Sequence, residues 1–335
     1  EIVYTSGATE ALNLAIKGAF LAAPPGRNHL ISSTIEHKAV HDCCEALVPQ
    51  GARVSRVGVG EDGLIDLEAL DKAIGEDTLL VAIMAVNNEI GVIQPLEEIG
   101  RLCRQRGVLW LCDASQASGR IDIDVDRMSI DLLTATAHKA YGPKGIGYLY
   151  VRREHRRVAL KPLVHGGGHE HGLRSGTLPV PLVVGLGETL TLAQAEREQD
   201  ELRLRGLRDK LWSGLRALGH VQLNGSETAR VSGNLNVAFS CVNAATLMAA
   251  LPNLALSSGS ACSSESPRPS HVLSAIGLAD ELAHCSIRFG LGRFTTDAEI
   301  DVALSRVTAE IERLRSQSAL WELVQEGVEL GSVGS

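Results

Sequence analysis

Two short apolar runs, Val108–Cys112 and Asp131–Ala137, do most to limit how this chain can fold. Each ends on side chains able to do chemistry. Asp113 follows the first run, with Gln116 a short turn later; His138 and Lys139 follow the second, ahead of the Gly/Pro-rich AYGPKGIG. Short apolar runs between polar breakers read as buried strands. In an open parallel sheet, ligands gather at the carboxyl ends of the strands. One acid and one lysine on separate strands are therefore expected at a single pocket, around which Asp113–Gly147 is organised. Taken alone, an Asp at a strand end is more often a helix cap and a lone Lys a surface residue. The pair gains meaning only from its company.

The rest of the chain alternates strand and helix. The strands are read as the opening Glu1-Ile-Val-Tyr, then His29–Ser33, Arg53–Val57, Leu79–Met84, Gly145–Val151, Leu235–Phe239, Leu254–Ser257 and Cys285–Phe289. Between them come amphipathic stretches at Glu10–Phe20, after Thr34, after Asp66, from Pro95 to Arg106, from Ala244 and at Thr296–Arg315. Such alternation predicts an α/β fold with a mostly parallel sheet covered on both faces. Pro179–Leu218 reads as a long helix with a charged, solvated face, linking a large domain at 1–180 to a smaller α/β C-terminal domain within 181–335.

Composition narrows the class. A chain of 335 residues, 44% apolar and 21% charged, has the balance of a globular protein with a substantial core. A net charge of −8 offers no general affinity for nucleic acid or anionic membrane. Seven irregularly spaced cysteines make no disulfide framework and suit a reducing, cytoplasmic compartment. No stretch approaches the ~20 apolar residues of a membrane span, and no signal peptide is visible.

Several polar clusters stand where the expected strands end. Thr5-Ser-Gly-Ala8-Thr9-Glu opens a helix, and free N–H groups at such a turn suit a phosphate, although Thr and Ser also cap ordinary helices. His37 stands where a strand meets a helix; it could lie flat on an aromatic cofactor or be a half-exposed cap. Asn87-Asn88-Glu89 needs polar partners. The three histidines of HGGGHEHG invite zinc. No cysteine or carboxylate cluster of ligand spacing accompanies them, and the glycines argue for backbone approaching a ligand, so no metal site is expected. Cys262 lies in SSGSACSSESPRPS, a small and polar run expected to be an exposed loop. A thiol presented there points to thiol chemistry, because cysteine is otherwise among the most buried residues. A ring cofactor with a protonated nitrogen on one side and an aldehyde on the other would use Asp113 and Lys139 together. Pyridoxal 5'-phosphate is such a cofactor.

Taken in order, TSGATE, EHKAV, NNEIGV, DASQ, AHKAYGPKGIG, HGGGHEHGLRSGT, SSGSACSS and SIRFGLGRFTT resemble the motifs of the cysteine desulfurases. The resemblance covers nearly the whole chain, and SSGSAC looks like the long-loop branch that feeds iron–sulfur cluster assembly. It implies the fold type I of pyridoxal-phosphate-dependent transferases. It implies removal of sulfur from L-cysteine to give L-alanine and an enzyme-bound persulfide. Carried over residue by residue, Lys139 would be the Schiff-base lysine and Asp113 the partner of the pyridinium nitrogen. His37 would stack on the ring and move protons. Asn88 and Gln116 would hydrogen-bond the ring oxygen, Asn88 also meeting the substrate. Ala8, Thr9, Thr136 and His138 would hold the phosphate, with Thr177 reaching the phosphate of the other subunit in a homodimer. Arg288 would grip the substrate carboxylate, and Cys262 would be the nucleophile. The implied partner is an iron–sulfur scaffold protein or another sulfur acceptor, and the implied compartment a bacterial cytoplasm or a mitochondrial matrix.

The chain departs from the family pattern in places. Thr136 replaces a usual Ser, Ala11-Leu12 replaces Ser-Asn, and His171 replaces an Arg. Glu1-Ile-Val-Tyr reads as a strand already under way with no methionine before it. By the family's layout, an N-terminal segment of about sixty residues is expected to be missing. Selenocysteine cleavage and a truncated, catalytically weak scaffold stand as alternatives, the latter binding through the basic run Arg152–Lys161 and the C-terminal tail.

Overall fold

The computed structural model describes residues 1–154, 156–258 and 269–326. Cys262 and the C-terminal tail from 327 onward lie outside the described residues. The chain divides into two compact units, one of residues 1–88 and 92–199, the other of 89–91 and 200 onward.

In the first unit the elements run β1 (Ile2–Thr5), α1 (Ala8–Leu21), β2 (His29–Ser33), α2 (Lys38–Glu45), β3 (Arg53–Val57), α3 (Leu67–Ala73), β4 (Thr78–Met84), α4 (Leu96–Arg106), β5 (Leu109–Asp113), β6 (Leu132–Thr136) and β7 (Gly147–Val151). Helix α5 (Val180–Arg216) begins here and continues into the second unit. The seven strands form one sheet in the order β1-β7-β6-β5-β4-β2-β3. From β3 to β6 every pairing is parallel, while β7 runs antiparallel to both β6 and β1. Period-two alternation divides the apolar side chains between two faces. Leu30, Leu80, Leu111, Leu132 and Leu149 pack under α1 and α2 against Leu12, Ile16, Val40 and Cys44. Trp110, on the opposite face, meets α4 so closely that a Cβ at Gly100 would lie 2.9 Å from its ring. Both faces are thus covered, and the parallel strands release their carboxyl ends along one edge of the sheet.

The second unit holds β8 (Val221–Leu223), β9 (Asn234–Phe239), α6 (Ala244–Ala250), β10 (Ser257–Ser258), α7 (His271–Ala275), α8 (Asp280–Ala283), β11 (Ser286–Gly290), α9 (Asp297–Arg315) and α10 (Ala319–Gln325). Its sheet, β10-β11-β9-β8, is antiparallel throughout. One face is apolar: Leu235, Val237, Phe239, Ile287 and Phe289 pack with Leu207, Leu211 and Leu215 of α5 and with Ile300, Val307 and Ile311 of α9. The other is polar, carrying Asn234, Asn236 and Arg288. Thr296 closes a reciprocal capping box with Glu299 at the start of α9.

Two expectations change. The strand read at Leu254–Ser257 shrinks to Ser257–Ser258, because Leu254 N–H is already spent on Leu251 O and Leu256 N–H on Leu254 O. Nor is the basic run after β7 uniformly available as a surface. Arg152 is buried, bonded to Asp126, Ile130 O and Val125 O.

Candidate active site

The parallel register aligns the ends of three strands: Met84 of β4 pairs with Asp113 of β5, which pairs with Thr134 of β6. Asp113 is buried, and its Oδ1 accepts from Ser115 N at 2.9 Å, Ser115 Oγ at 2.5 Å and Thr134 Oγ1 at 3.4 Å. These bonds fix the carboxylate plane and leave Oδ2 to a further donor. Gln116 follows, half-buried, and its Oε1 accepts from Arg120 Nη1 at 3.2 Å. Arg120 also reaches the Lys139 carbonyl at 3.4 Å, tying the segment after β5 to the segment after β6.

Strand β6 runs straight into a single 3-10 turn, Ala137–Lys139, which turns His138 and Lys139 outward as exposed side chains. Thr136 Oγ1 lies 2.9 Å from His138 Nδ1 and donates to Ile146 O at 3.1 Å. Partial burial, then the Lys139 and Lys144 charges, hold the His138 imidazole below its ordinary pKa.

Beside Thr136 opens α1. Thr5, Gly147 and Thr136 stand abreast across β1, β7 and β6. A Cβ on Gly7 would lie 3.9 Å from Thr136 Oγ1. Gly7 is the N-cap residue of α1, with φ 156° and ψ 179°, a conformation open essentially only to glycine, and it offers no side-chain cap. The N–H groups of the first turn, from Ala8 and Thr9 onward, are thus left to a ligand, at the positive end of a 14-residue helix. The turn is held from behind. Glu10 accepts from Ser6 N at 2.6 Å and pairs with Arg174 at 2.8 Å, while Glu170 accepts from Tyr4 N at 2.8 Å.

On the other side of Asp113, His37 is the N-cap of α2. Its Nδ1 accepts from Ala39 N at 3.1 Å, which puts the ring proton on Nε2 and turns that nitrogen outward. Asn87 donates to Ile35 O at 3.0 Å, and Asn88 is half-buried next to it. Thr177 stands exposed in the extended segment before α5, and among the described residues its hydroxyl makes no hydrogen bond. Of the three clustered histidines, His169 accepts from Gly176 N at 3.3 Å.

The second unit carries Arg288. In register it lies between Ser257 of β10 and Asn236 of β11's other neighbour, β9. Residues 89–91 pack on this polar face. Glu89 O accepts from Asn234 and Asn236, Ile90 O from Arg230, and Gly91 O from Val231 N. Glu89 Oε2 accepts from Ser270 Oγ at 2.5 Å; burial raises its pKa, against the pull of that bond and of the His271 and Arg288 charges.

The family model for class-V aminotransferases matches residues 1–303. The chain belongs to that family. A protein described as cysteine desulfurase IscS, from Tolumonas auensis, is 53% identical over 333 residues, which is 99% of this chain and 82% of the relative. Among solved structures, one titled "NIFS-LIKE PROTEIN" matches with a TM-score of 0.86 at 34% identity, over 93% of this chain and 82% of that one. Another, titled "SspA in complex with cysteine", matches with a TM-score of 0.75 at 38% identity, over 88% and 82%. Cysteine desulfurases among the class-V aminotransferases use pyridoxal 5'-phosphate.

The residues present fit that cofactor. A lysine follows one strand end, and a carboxylate with one oxygen open ends the neighbouring strand. The uncapped α1 beside Thr136 and His138 suits a phosphate. The first unit therefore brings together Ala8, Thr9, Asp113, Gln116, Thr136, His138 and Lys139, with His37 and Asn88 at the ends of β2 and β4 in the same sheet. Sequence reasoning missed Ser115, Thr134, Arg120 and the Glu10–Arg174 pair. Only Ser115 carried a local signal, standing two residues after Asp113 where a hydroxyl can turn back onto a carboxylate.

Proposed function

We infer that this chain is a pyridoxal-phosphate-dependent cysteine desulfurase, taking sulfur from L-cysteine to give L-alanine and a persulfide on the enzyme. The observation that carries the reading is the meeting of Asp113, Thr136 and Lys139 at adjoining strand ends beside the uncapped α1, in a chain 53% identical to a cysteine desulfurase over 333 residues. When bound, the cofactor draws electrons from the substrate α-carbon.

The chain's own groups divide the remaining work. Asp113 keeps the ring nitrogen protonated through Oδ2, its plane set by Ser115 and Thr134. Lys139 would hold the aldehyde carbon through Nζ and, once the substrate amine has displaced it, would move the α-proton. The first-turn amides at Ala8 and Thr9, with Thr136 and His138, bind the phosphate. His37, held by its own cap bond, presents its imidazole to the ring, and Gln116 and Asn88 hydrogen-bond the ring oxygen. Arg288 takes the substrate carboxylate as a bidentate partner. Cys262, as thiolate, would attack the substrate sulfur; the substrate Cβ–S bond breaks with its electron pair passing to the carbon skeleton, which is protonated and leaves as L-alanine, and the sulfur stays on Cys262 as a persulfide.

The cofactor site belongs to 1–180, with the linking helix and the Cys262 segment in 181–335. A homodimer in which Thr177 reaches the partner's phosphate, and an iron–sulfur scaffold protein or other acceptor for the sulfur, complete the reading. The bacterial source of the relative supports a bacterial cytoplasm as its place of work. No helix among the described residues is long and apolar enough to cross a membrane.

The test is alanine release from L-cysteine with a reductant present, for the native protein and Cys262→Ser. The native protein is expected to release alanine and sulfide. The variant is expected to bind cofactor, change its visible spectrum with L-cysteine and release neither product, since a hydroxyl is too weak a nucleophile at neutral pH. Undiminished sulfide from Cys262→Ser would remove the thiol from the reaction.

A further inference from the structure

Glu36 has no part in the roles above, yet it lies among them. It closes the turn after β2 and is almost wholly withdrawn from water. Its Oε1 accepts from Ser33 Oγ at 2.6 Å and from Met84 N at 3.0 Å, so one side chain ties the end of β2 to the end of β4. Met84 is the register partner of Asp113. Asn87 adds a second tie, from β4's following turn to Ile35 O. The residue after Glu36 is His37.

Asp113 and Cys112 on β5 and Cys44 on α2 are titratable groups that face Glu36, and β4 presents the Met84 amide. Burial is the largest influence, opposed by the Ser33 and Met84 hydrogen bonds and reinforced by the Asp113 charge, and the carboxyl is pushed up to about 8. The two acids, at the ends of β2 and β5 on either side of β4, share one dry region, and Glu36, the more deeply withdrawn from water, resists ionisation.

We propose that Glu36 is a positioning residue for the cofactor: it braces the β2–α2 turn against the end of β4 and so fixes where His37 presents its imidazole. The proposal deepens the function given above and rests on its placement of Asp113 and His37 at the ring. Losing the proton puts a second carboxylate into a dry site next to Asp113, a cost that the Ser33 and Met84 bonds offset only in part, so the turn shifts toward water and carries His37 with it. The folded-state pKa lies above the ordinary ~4.3 of a glutamate in an unfolded chain. The stabilisation is therefore fully present at acid pH and lost as pH rises through about 8.

The experiment titrates pyridoxal 5'-phosphate into the full chain stripped of cofactor and reads the dissociation constant from the visible band. It compares native protein, Glu36→Gln, Glu36→Ala and Asp113→Asn near neutral pH and about one unit above the value of about 8. Glu36→Gln, which keeps a neutral acceptor of the same shape, is expected within about twofold of native at neutral pH. Glu36→Ala leaves Met84 N–H and Ser33 unpaired and is expected to bind about tenfold more weakly. Across the alkaline step the native protein should lose about tenfold in affinity, since only about a tenth of Glu36 stays protonated one unit above the midpoint, and Glu36→Gln should not. Parallel pH profiles for native and Glu36→Gln overturn the proposal, as does native affinity in Glu36→Ala. If Glu36→Ala does not fold, the native and Glu36→Gln profiles decide. Asp113→Asn separates the two readings. Weakened binding there with coincident Glu36 profiles sinks Glu36 alone; native binding in Asp113→Asn sinks the site assignment, and this proposal with it.

Discussion

Two carboxyls one strand apart, Asp113 and Glu36, meet opposite conditions. Asp113 gathers an amide and two hydroxyls on a single oxygen; Glu36 meets one hydroxyl and one amide at nearly complete burial. For Glu36 the sign of the pH effect on stability follows. Between the ordinary glutamate value of ~4.3 and about 8, the folded chain holds a proton that the unfolded chain has released. The native protein should therefore lose stability relative to Glu36→Gln as pH rises across that window. Thermal midpoints of the two cofactor-free proteins, measured from acid to mildly alkaline pH, check it; a constant gap would show that Glu36 does not titrate there. In the sequence Asp113 and Lys139 were legible because each follows an apolar run that announces a strand end. Glu36 was not. In TIEHKAV it reads as an ordinary acid at the start of a helix, and its burial depends on β2 lying beside β4 with a β3 excursion between them in sequence.

Strand positions were readable from apolar runs to within a residue or two, since burial on both faces leaves little room for polar residues. What sequence could not supply was pairing direction. Nothing in GYLYV says that β7 runs against β6 and β1, yet this antiparallel strand brings α1 beside Thr136. Gly147 is where the arrangement is tightest. A Cβ there would lie 2.6 Å from Ala135 O and 2.8 Å from Gly7 Cα, and these are backbone atoms that cannot rotate away. Gly147→Ala should force β7 off its neighbours and cost about 1–3 kcal/mol, as overpacking does. It should also weaken cofactor binding, because the displaced Gly7 leads the turn proposed to hold the phosphate. Chemical denaturation measures the first effect and cofactor titration the second; native stability in the variant would contradict the close approach. The Leu254–Ser257 misreading has the reverse cause, an apolar run whose amides are consumed by local turns.

At the scale of the whole molecule, the long helix was visible as a continuous run from Pro179, and it ends within two residues of where its pattern stops. The allegiance of Glu89–Gly91 to the second unit was not visible. Three residues between β4 and α4 are held by Arg230, Val231, Asn234 and Asn236, partners about 140 positions away in sequence that no local pattern reports. The central claim is that one lysine, Lys139, anchors pyridoxal phosphate at the end of β6. Reducing the full-length cofactor-bound protein with borohydride and mapping its peptides by mass spectrometry tests this most directly. A single reduced pyridoxyl-phosphate adduct is expected on Lys139 and none on Lys144 or Lys161, and no stable adduct in Lys139→Ala. An adduct on another lysine, or one that survives Lys139→Ala unchanged, would contradict it.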